Sequence, residues 1–93
     1  MAKTRFTEND QVFRELLKDL RMTQKLTQEQ LAERLGQPQS FVSKYETGER
    51  RLDFVETVIV CEALGMSIEG FAAAFVRQVR GDRSTRVTDR RKA

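Results

Sequence analysis

Residues 27–48 read TQEQLAERLGQPQSFVSKYETG, and the fold of the chain is decided in this stretch. It contains two short helical patterns on either side of Gly36. Thr27 and Gln30 have the spacing of a capping box, in which each side chain bonds the backbone N–H of the other residue. Pro38 starts the second pattern and is favoured as a first helical residue, because the N–H that it lacks would have no helical partner there. We therefore predict two short helices joined by a tight turn.

The second helical pattern has an apolar face and a polar face. Phe41, Val42 and Tyr45 recur at helical spacing and are predicted to face the core. The opposite face carries amides, hydroxyls and one cation, in Gln39, Ser40, Ser43 and Lys44. Such groups hydrogen-bond the base edges that are exposed in the major groove of DNA. We therefore interpret residues 27–48 as a DNA-binding helix-turn-helix, against the alternative of an ordinary solvated helix face.

The basic charge of the chain is concentrated at its C-terminal end. The 93 residues, of which 39% are hydrophobic and 33% are charged, leave room for one small domain with a modest core. Residues 1–80 contain 12 Lys and Arg against 12 Asp and Glu, whereas residues 81–93 contain five against two. The net charge of +3 therefore belongs to the tail, whose arginines are either solvated or a supplementary, sequence-independent contact with phosphates.

The sequence lacks the side chains that most enzymes and metal sites use. It has no His, no Gly-rich phosphate loop and no nucleophile paired with a base. Cys61 is the single cysteine, which we interpret as a core thiol. Neither a signal peptide nor a run of membrane-spanning length is found. We predict a cytoplasmic, non-enzymatic protein with no catalytic, metal-binding or cofactor-binding residues and with no membrane or small-molecule partner.

Helix start and stop signals predict five helices and no strand, and hence an all-α fold. Residues 1–7 are predicted to form an N-terminal arm, and residues 8–80 the folded domain. Residues 81–93 are predicted to form a basic, disordered tail, because this segment is polar and has few apolar residues to bury.

The first and fourth helices are predicted from their ends and their apolar stripes. The first should span about residues 8–24. The fourth should begin at a capping box formed by Asp53 and Glu56 and end at Gly65, a residue type that is favoured at helix ends. Its predicted apolar stripe is Val55, Val58, Ile59, Ala63 and Leu64.

The fifth helix, predicted between a cap at Ser67 and an end at Gly81, has a broad apolar face. This face either folds back on the core of its own chain or packs against a second copy. Six apolar positions on one terminal helix are more than a domain of this size needs, so we favour dimerisation. The predicted interface residues are Phe71, Phe75, Val76 and Val79.

Several separated segments of the chain resemble a known family. They are Arg21, residues 26–32 (LTQEQLA), Gly36, residues 43–48 (SKYETG) and residues 63–65 (ALG). In this combination they are similar to Cro and lambda-repressor-type helix-turn-helix proteins, often called XRE-type regulators. The resemblance implies a five-helix, lambda-repressor-like domain with the helix-turn-helix at helices 2 and 3. It also implies that helix 3 enters the major groove of double-stranded DNA.

The resemblance further implies roles for individual residues. Base edges would be contacted by Gln37, Gln39, Ser40 and Lys44. Phosphates would be contacted by Gln28, Ser43, Arg50 and Arg51. Arg21 and Glu46 would form a structural salt bridge between helix 1 and the end of helix 3. Two residues depart from the family pattern, namely Pro38 in place of a polar residue and Phe41 in place of a small one.

The sequence as a whole predicts a sequence-specific transcriptional regulator, of repressor type, that binds palindromic half-sites as a homodimer. The alternative is an antitoxin or another interaction module that uses its terminal helix to bind a partner protein. For Arg50 and Arg51, we weigh phosphate contact and an ordinary charge on a solvated surface loop equally. A solvent-facing helix start is the alternative for Gln28.

Overall fold

Five α-helices make up most of the backbone. In a computed structural model, which describes the backbone of residues 5–91 and the side chains of residues 7–81, they are α1 (Arg5–Thr23), α2 (Gln28–Leu35), α3 (Gln39–Thr47), α4 (Phe54–Ala63) and α5 (Ile68–Arg91). The described backbone contains no strand. The prediction of an all-α fold with five helices is confirmed.

Local hydrogen bonds set the starts of α2 and α4. The Thr27 Oγ1 accepts from the Gln30 N–H at 3.0 Å, and the Gln30 Oε1 accepts from the Thr27 N–H at 2.8 Å. Asp53 and Glu56 make the equivalent bonds at 2.7 and 3.0 Å. Both predicted capping boxes are confirmed, and they pair N–H groups that the first turn of a helix leaves without partners.

The turn between α2 and α3 depends on Gly36. Its φ of 67° lies in the left-handed region, which disfavours any residue with a side chain. The Gly36 N–H donates to the Glu33 carbonyl at 3.1 Å and closes the C-terminal turn of α2. Pro38 then adopts an extended conformation with ψ 158° and occupies the N-cap position. The helix α3 therefore begins at Gln39, one residue later than predicted.

All five helices contribute side chains to one core. Its buried members are Leu17, Leu31, Ala32, Val42, Tyr45, Val60, Cys61, Leu64 and Phe71. Val42 and Tyr45 belong to α3, so burial on this side holds the helix against the rest of the domain. Truncating a large side chain of a packed core to Ala costs ~2–5 kcal/mol, so these contacts fix the position of α3 firmly.

Cys61 lies in this core with 0% of its surface exposed. Burial disfavours the charged thiolate and raises the pKa of the thiol to about 11. A thiol in such a place remains protonated and unreactive at neutral pH. The prediction of a core thiol is confirmed.

The apolar stripe predicted for α4 is confirmed at its end, where Leu64 is buried and Ala63 packs against the core, but it is wrong for Val55 and Ile59. The sequence pattern places Val55 and Ile59 in the core, whereas their side chains are 64% and 49% exposed. Thr57 and Val60 are buried instead. Because apolar residues surround most of this helix, their spacing alone does not determine which side faces the core.

Both terminal helices are longer than predicted. The helix α1 begins at Arg5, and α5 continues past Gly81 to Arg91. A Gly inside a helix costs only ~1 kcal/mol relative to Ala, and no Pro follows this one, so Gly81 does not end the helix. The predicted disorder of residues 81–93 stays a prediction. The outermost residues of the predicted arm and tail lie outside the described residues.

No single helix in the described part of the chain is long and apolar enough to cross a membrane. The helix α4 and the part of α5 up to Gly81 reach that length and composition only as a pair, bent by 104°. Both helices contribute to the core, through Val60 and Phe71 for example, which accounts for part of their apolar composition.

Candidate nucleic-acid interface

The polar face of α3 points outward because the opposite face is buried. Val42 and Tyr45 are 0% and 1% exposed. Gln39, Ser40 and Lys44 are exposed, and Ser43 is half-buried. The residues that the sequence predicts as base contacts on α3 therefore lie together on one accessible surface of the helix.

A buried ion pair holds the C-terminal end of α3. The Arg21 Nε and Nη2 atoms donate to the two carboxylate oxygens of Glu46 at 2.7 and 3.0 Å. The Arg21 Nη1 donates to the Leu26 carbonyl at 2.7 Å. The hydrogen bond to Glu46 raises the pKa of the Arg21 guanidinium above its already high value. Because such bidentate pairs are directional, this one fixes α1 and α3 relative to each other.

A second arginine of α1 also contacts the end of α3. The Arg14 Nη1 donates to the Glu46 carbonyl at 3.4 Å, and the Arg14 Nε pairs with Asp10 at 3.2 Å. Gly48 ends α3 with a φ of 90°, and a Cβ at that position would come within 3.0 Å of the Arg14 guanidinium. Sequence reasoning missed Arg14, because nothing local indicates a contact 32 positions away.

Two glutamines extend the buried pair to the surface. The Gln28 Nε2 donates to the Glu46 Oε1 at 2.9 Å. The Gln39 Nε2 donates to the Gln28 Oε1 at 3.1 Å. A continuous hydrogen-bond chain therefore runs from Arg21 of α1 to Gln39, the first residue of α3. Gln28, which the sequence predicts as a phosphate contact, is engaged within the protein.

Gln37 lies in the turn before α3 and is exposed. Its backbone N–H donates to the Ala32 carbonyl at 3.0 Å. The residue also borders an open cavity of about 140 Å³, whose other lining residues are Leu35, Phe41, Glu56, Ile59 and Val60. Gln37 is thus anchored through its backbone, two residues before Gln39.

The two arginines that follow α3 differ in their contacts. Arg50 donates to both carboxylate oxygens of Glu56 at 3.2 and 2.9 Å, and its guanidinium lies 4.8 Å from the centre of the Phe41 ring. The pairing lowers the pKa of Glu56, chiefly through the hydrogen bond from Arg50. The side chain of Arg51 is 72% exposed and approaches Asp10 at 3.9 Å. Arg50 is therefore held by the protein, whereas Arg51 extends into solvent.

The predicted dimer interface on α5 is wrong for Phe71, which belongs to the core of its own chain. Phe71 is 3% exposed, and its ring meets Phe13 edge-on at 5.7 Å. The ring of Phe75 also meets Phe13 edge-on, with the ring centres 6.3 Å apart. Val79 is half-buried, and Val76 remains 42% exposed. The apolar face of α5 was predicted either to pack on the core of its own chain or to form a dimer interface. Over the first two turns of the helix, it packs on its own chain.

A second apolar surface, which sequence reasoning missed, lies on α4. Phe54, Val55 and Ile59 are 71%, 64% and 49% exposed, and we call these three residues the α4 patch. Single exposed apolar residues are ordinary, but a group of large ones on a short helix makes that helix a candidate interaction surface. The available signal was the apolar composition of the helix on nearly every side, since such a helix cannot bury its whole circumference against one core.

The arrangement of α2, the Gly36 turn and α3 defines a helix-turn-helix protein, because the second helix is buried on one side and polar on the other. A helix-turn-helix family model matches residues 17–73. The chain belongs to this family, in its XRE type, whose members are typically non-enzymatic DNA-binding regulators.

A solved structure supports the same assignment. An XRE-family like protein from Pseudomonas syringae pv. tomato str. DC3000 shares 38% sequence identity with the chain and superposes with a TM-score of 0.72. The match covers 75% of this chain and 85% of that one. The search of curated proteins finds no match.

Proposed function

We propose that the protein is a cytoplasmic, sequence-specific transcriptional regulator that reads the major groove of DNA with α3. Gln39, Ser40 and Lys44 would face the bases, with Gln37 as an additional contact at the start of the helix. The observation that carries this proposal is the exposed polar face of a helix whose other face is buried and whose end is tied to α1. A rigid support of this kind suits side chains that must meet base edges within hydrogen-bond distance.

The phosphate contacts are proposed to come from the edges of the same surface. Arg51 is free to reach outward because its side chain is 72% exposed and its approach to Asp10 is long. Ser43 is half-buried on α3 and offers a hydroxyl beside the base-reading residues. Arg50 would have to exchange Glu56 for a phosphate, so its contribution should be smaller. Gln28 retains one amide N–H beyond the bond to Glu46, which suffices for a phosphate.

We propose that the regulator acts as a homodimer on palindromic half-sites, with the two copies of α3 about one helical turn of DNA apart, ~34 Å. The α4 patch supports a second copy as its occupant. It is an exposed apolar surface on the helix that follows α3 in the chain, and a two-fold interface would bury it in both copies. Val76 and Val79 of α5 are a secondary contact in this proposal, since Val76 is exposed and Val79 is half-buried.

The test is selection of bound sequences from random double-stranded DNA, repeated with Lys44→Ala. Lys18→Ala on α1 is the matched control, because it removes the same charge from an exposed helical position. A changed base preference at one position per half-site is expected for Lys44→Ala only. A uniform loss of affinity would make Lys44 a phosphate contact. If the unaltered protein selects no sequence, the proposed function is overturned.

The second candidate function is an interaction module, such as an antitoxin, that binds a different protein. The exposed apolar surface of the α4 patch favours it as well, because that surface suits any apolar partner. Analytical ultracentrifugation separates the two functions. A protein that remains monomeric at micromolar concentration, with and without selected DNA, would leave the α4 patch for a foreign partner.

A further inference from the structure

The Arg50 guanidinium is held by the protein beside the proposed DNA-reading helix. Its Nη1 and Nη2 atoms donate to the two carboxylate oxygens of Glu56 at 3.2 and 2.9 Å. It also lies 4.8 Å from the centre of the Phe41 ring, which belongs to α3. The Arg50 backbone N–H donates to the Lys44 carbonyl at 3.1 Å, so the residue stays close to the end of α3. The guanidinium is therefore fixed between α3 and the start of α4.

Glu56 is held in place by bonds that do not involve Arg50. Its Oε1 accepts from the Asp53 N–H at 3.0 Å, and its own N–H donates to the Asp53 Oδ1 at 2.7 Å. These capping-box bonds pair N–H groups at the start of α4, where the helix dipole also favours a negative charge. The carboxylate would therefore remain at the helix start if Arg50 moved away.

A guanidinium pairs with a carboxylate and with a phosphate in the same way. Each of these anions offers two oxygens to the two parallel N–H groups of the fork. The hydrogen bond from Arg50 lowers the pKa of Glu56, so this carboxylate is charged at neutral pH. A DNA phosphate that approaches Arg50 must therefore displace Glu56 or meet its negative charge.

We propose that Glu56 takes the place of a DNA phosphate at Arg50 and thereby limits the affinity of the protein for the DNA backbone. This inference rests on the proposed function, since it concerns how the reading surface is held on DNA. Arg51 provides the contrast, because its side chain is 72% exposed and only approaches Asp10, at 3.9 Å. Arg51 is free for a phosphate contact, whereas Arg50 is withheld from one.

The consequence concerns the division of the affinity between backbone and bases. Phosphate contacts carry no sequence information, so withholding one weakens the binding of every sequence alike. The base contacts from α3 then supply a larger share of the binding free energy. Glu56 is in this sense a residue that makes stable binding depend on the bases.

The experiment measures binding to a labelled duplex of selected sequence and to one of random sequence, at several salt concentrations. Glu56→Gln keeps a side-chain oxygen for the capping box but removes the charge that holds Arg50. It should raise the affinity for both duplexes roughly two- to five-fold for each copy of the protein bound. The slope of log K against log salt should become steeper by about 0.9 per copy. The base preferences should not change.

Glu62→Gln is the matched control. Glu62 is exposed near the other end of α4 and makes no ion pair among the described residues. Its replacement removes the same charge from the same helix but leaves the pair of Arg50 and Glu56 intact. The slope against salt should stay that of the unaltered protein. An equal effect of the two substitutions would show that net charge alone changes the affinity, and would overturn the inference.

A double variant, Arg50→Ala with Glu56→Gln, tests whether Arg50 contacts DNA in the unaltered protein. It removes a cation and an anion together, so the net charge is unchanged. Because the pair is proposed to add nothing to DNA binding, affinity and slope should equal those of the unaltered protein. A loss as large as that of Arg51→Ala would mean that Arg50 contacts a phosphate despite Glu56, which overturns the inference.

The single arginine variants keep the inference testable if Glu56→Gln does not fold. Arg50→Ala should reduce the slope against salt less than Arg51→Ala does, and equal reductions would overturn the inference. Two results with a folded Glu56→Gln would do the same. They are an unchanged affinity, and a changed base preference, which would mean that Glu56 acts on the orientation of α3. A failure of the proposed function is distinguishable, because the unaltered protein would then select no sequence.

Discussion

The outward faces of α3 and α4 lie close together in the sequence but differ in chemistry. On α3 the face is polar, and its first residue, Gln39, is held by a hydrogen-bond chain that ends at a buried ion pair. On α4 the outward face is apolar, and its large side chains are half to three-quarters exposed with no comparable support. Both helices nevertheless present one face to the same core, through Tyr45 on α3 and Cys61 on α4.

The difference matches the kind of recognition that we propose for each face. Hydrogen bonds to base edges depend on distance and angle, so a reading face needs side chains in known orientations. Burial of apolar surface is roughly proportional to area and has no direction, so an apolar face needs only to be accessible. The hydrogen-bond support therefore lies on α3, where the proposed base recognition needs orientation, and not on the α4 patch, where the proposed apolar contact needs only area.

The largest expected effect is loss of the support beneath α3. Glu46→Ala leaves the Arg21 guanidinium buried without its carboxylate and should lower the free energy of unfolding by ~3–5 kcal/mol. Glu49→Ala, at an exposed position in the following loop, should change it by no more than ~0.5 kcal/mol. Urea unfolding of the two variants measures the difference. Equal values would show that Glu46 does not support the fold.

A double variant sharpens the comparison by separating packing from direction. Replacing both partners, as in Arg21→Met with Glu46→Leu, removes the buried charges together and should restore most of the stability that Glu46→Ala loses. The hydrogen-bond chain to Gln39 would still be missing. The double variant should therefore fold stably but show a weaker base preference, and a normal preference would show that α3 needs packing alone.

The next largest effect is expected on the α4 patch. Val55→Lys places a charge on the surface that a second copy is proposed to cover, and two-fold symmetry introduces it twice. Each copy also loses the burial of a Val side chain, about 1.5–3 kcal/mol, so the dimer dissociation constant should rise at least about a hundred-fold. Sedimentation equilibrium measures this change, and thermal unfolding of the monomer should be nearly unaffected because Val55 is exposed.

Val76→Lys on α5 is the matched comparison for that experiment. It introduces the same charge at a position that is 42% exposed, on the helix that the sequence favours as the interface. A stronger effect of Val76→Lys than of Val55→Lys would move the interface back to α5. No effect of either substitution on self-association would remove the homodimer from the proposed function.

The sequence correctly predicted those features of the fold that depend on interactions between residues a few positions apart. The capping boxes at Thr27 and Asp53 and the glycine turn at Gly36 each involve residues a few positions apart, and all three were predicted. The phase of α4 depends on which of several apolar sides meets the core, and its composition does not encode that choice. Arg14 and Gln28 meet Glu46 across 32 and 18 positions, so their contacts follow from tertiary packing and left no pattern in the chain.

The smallest expected effect tests the inward face of α4, which is as apolar as its outward face but fully buried. Burial raises the pKa of the Cys61 thiol to about 11 in the folded protein, from 9.0 for a thiol in water. In the unfolded chain the thiol begins to ionise at about pH 9, whereas in the folded protein it stays protonated up to about pH 11. Burial of the protonated thiol therefore contributes fully to the free energy of unfolding below about pH 9, and this contribution is lost as the pH rises to about 11. The loss should be on the order of 2 kcal/mol.

Urea unfolding at several pH values measures this loss. The free energy of unfolding should decline more steeply with pH for the unaltered protein than for Cys61→Ala, which is less stable at neutral pH but lacks the ionisable group. Parallel declines would mean that the thiol is accessible to water, and that the two faces of α4 differ less than their burial indicates.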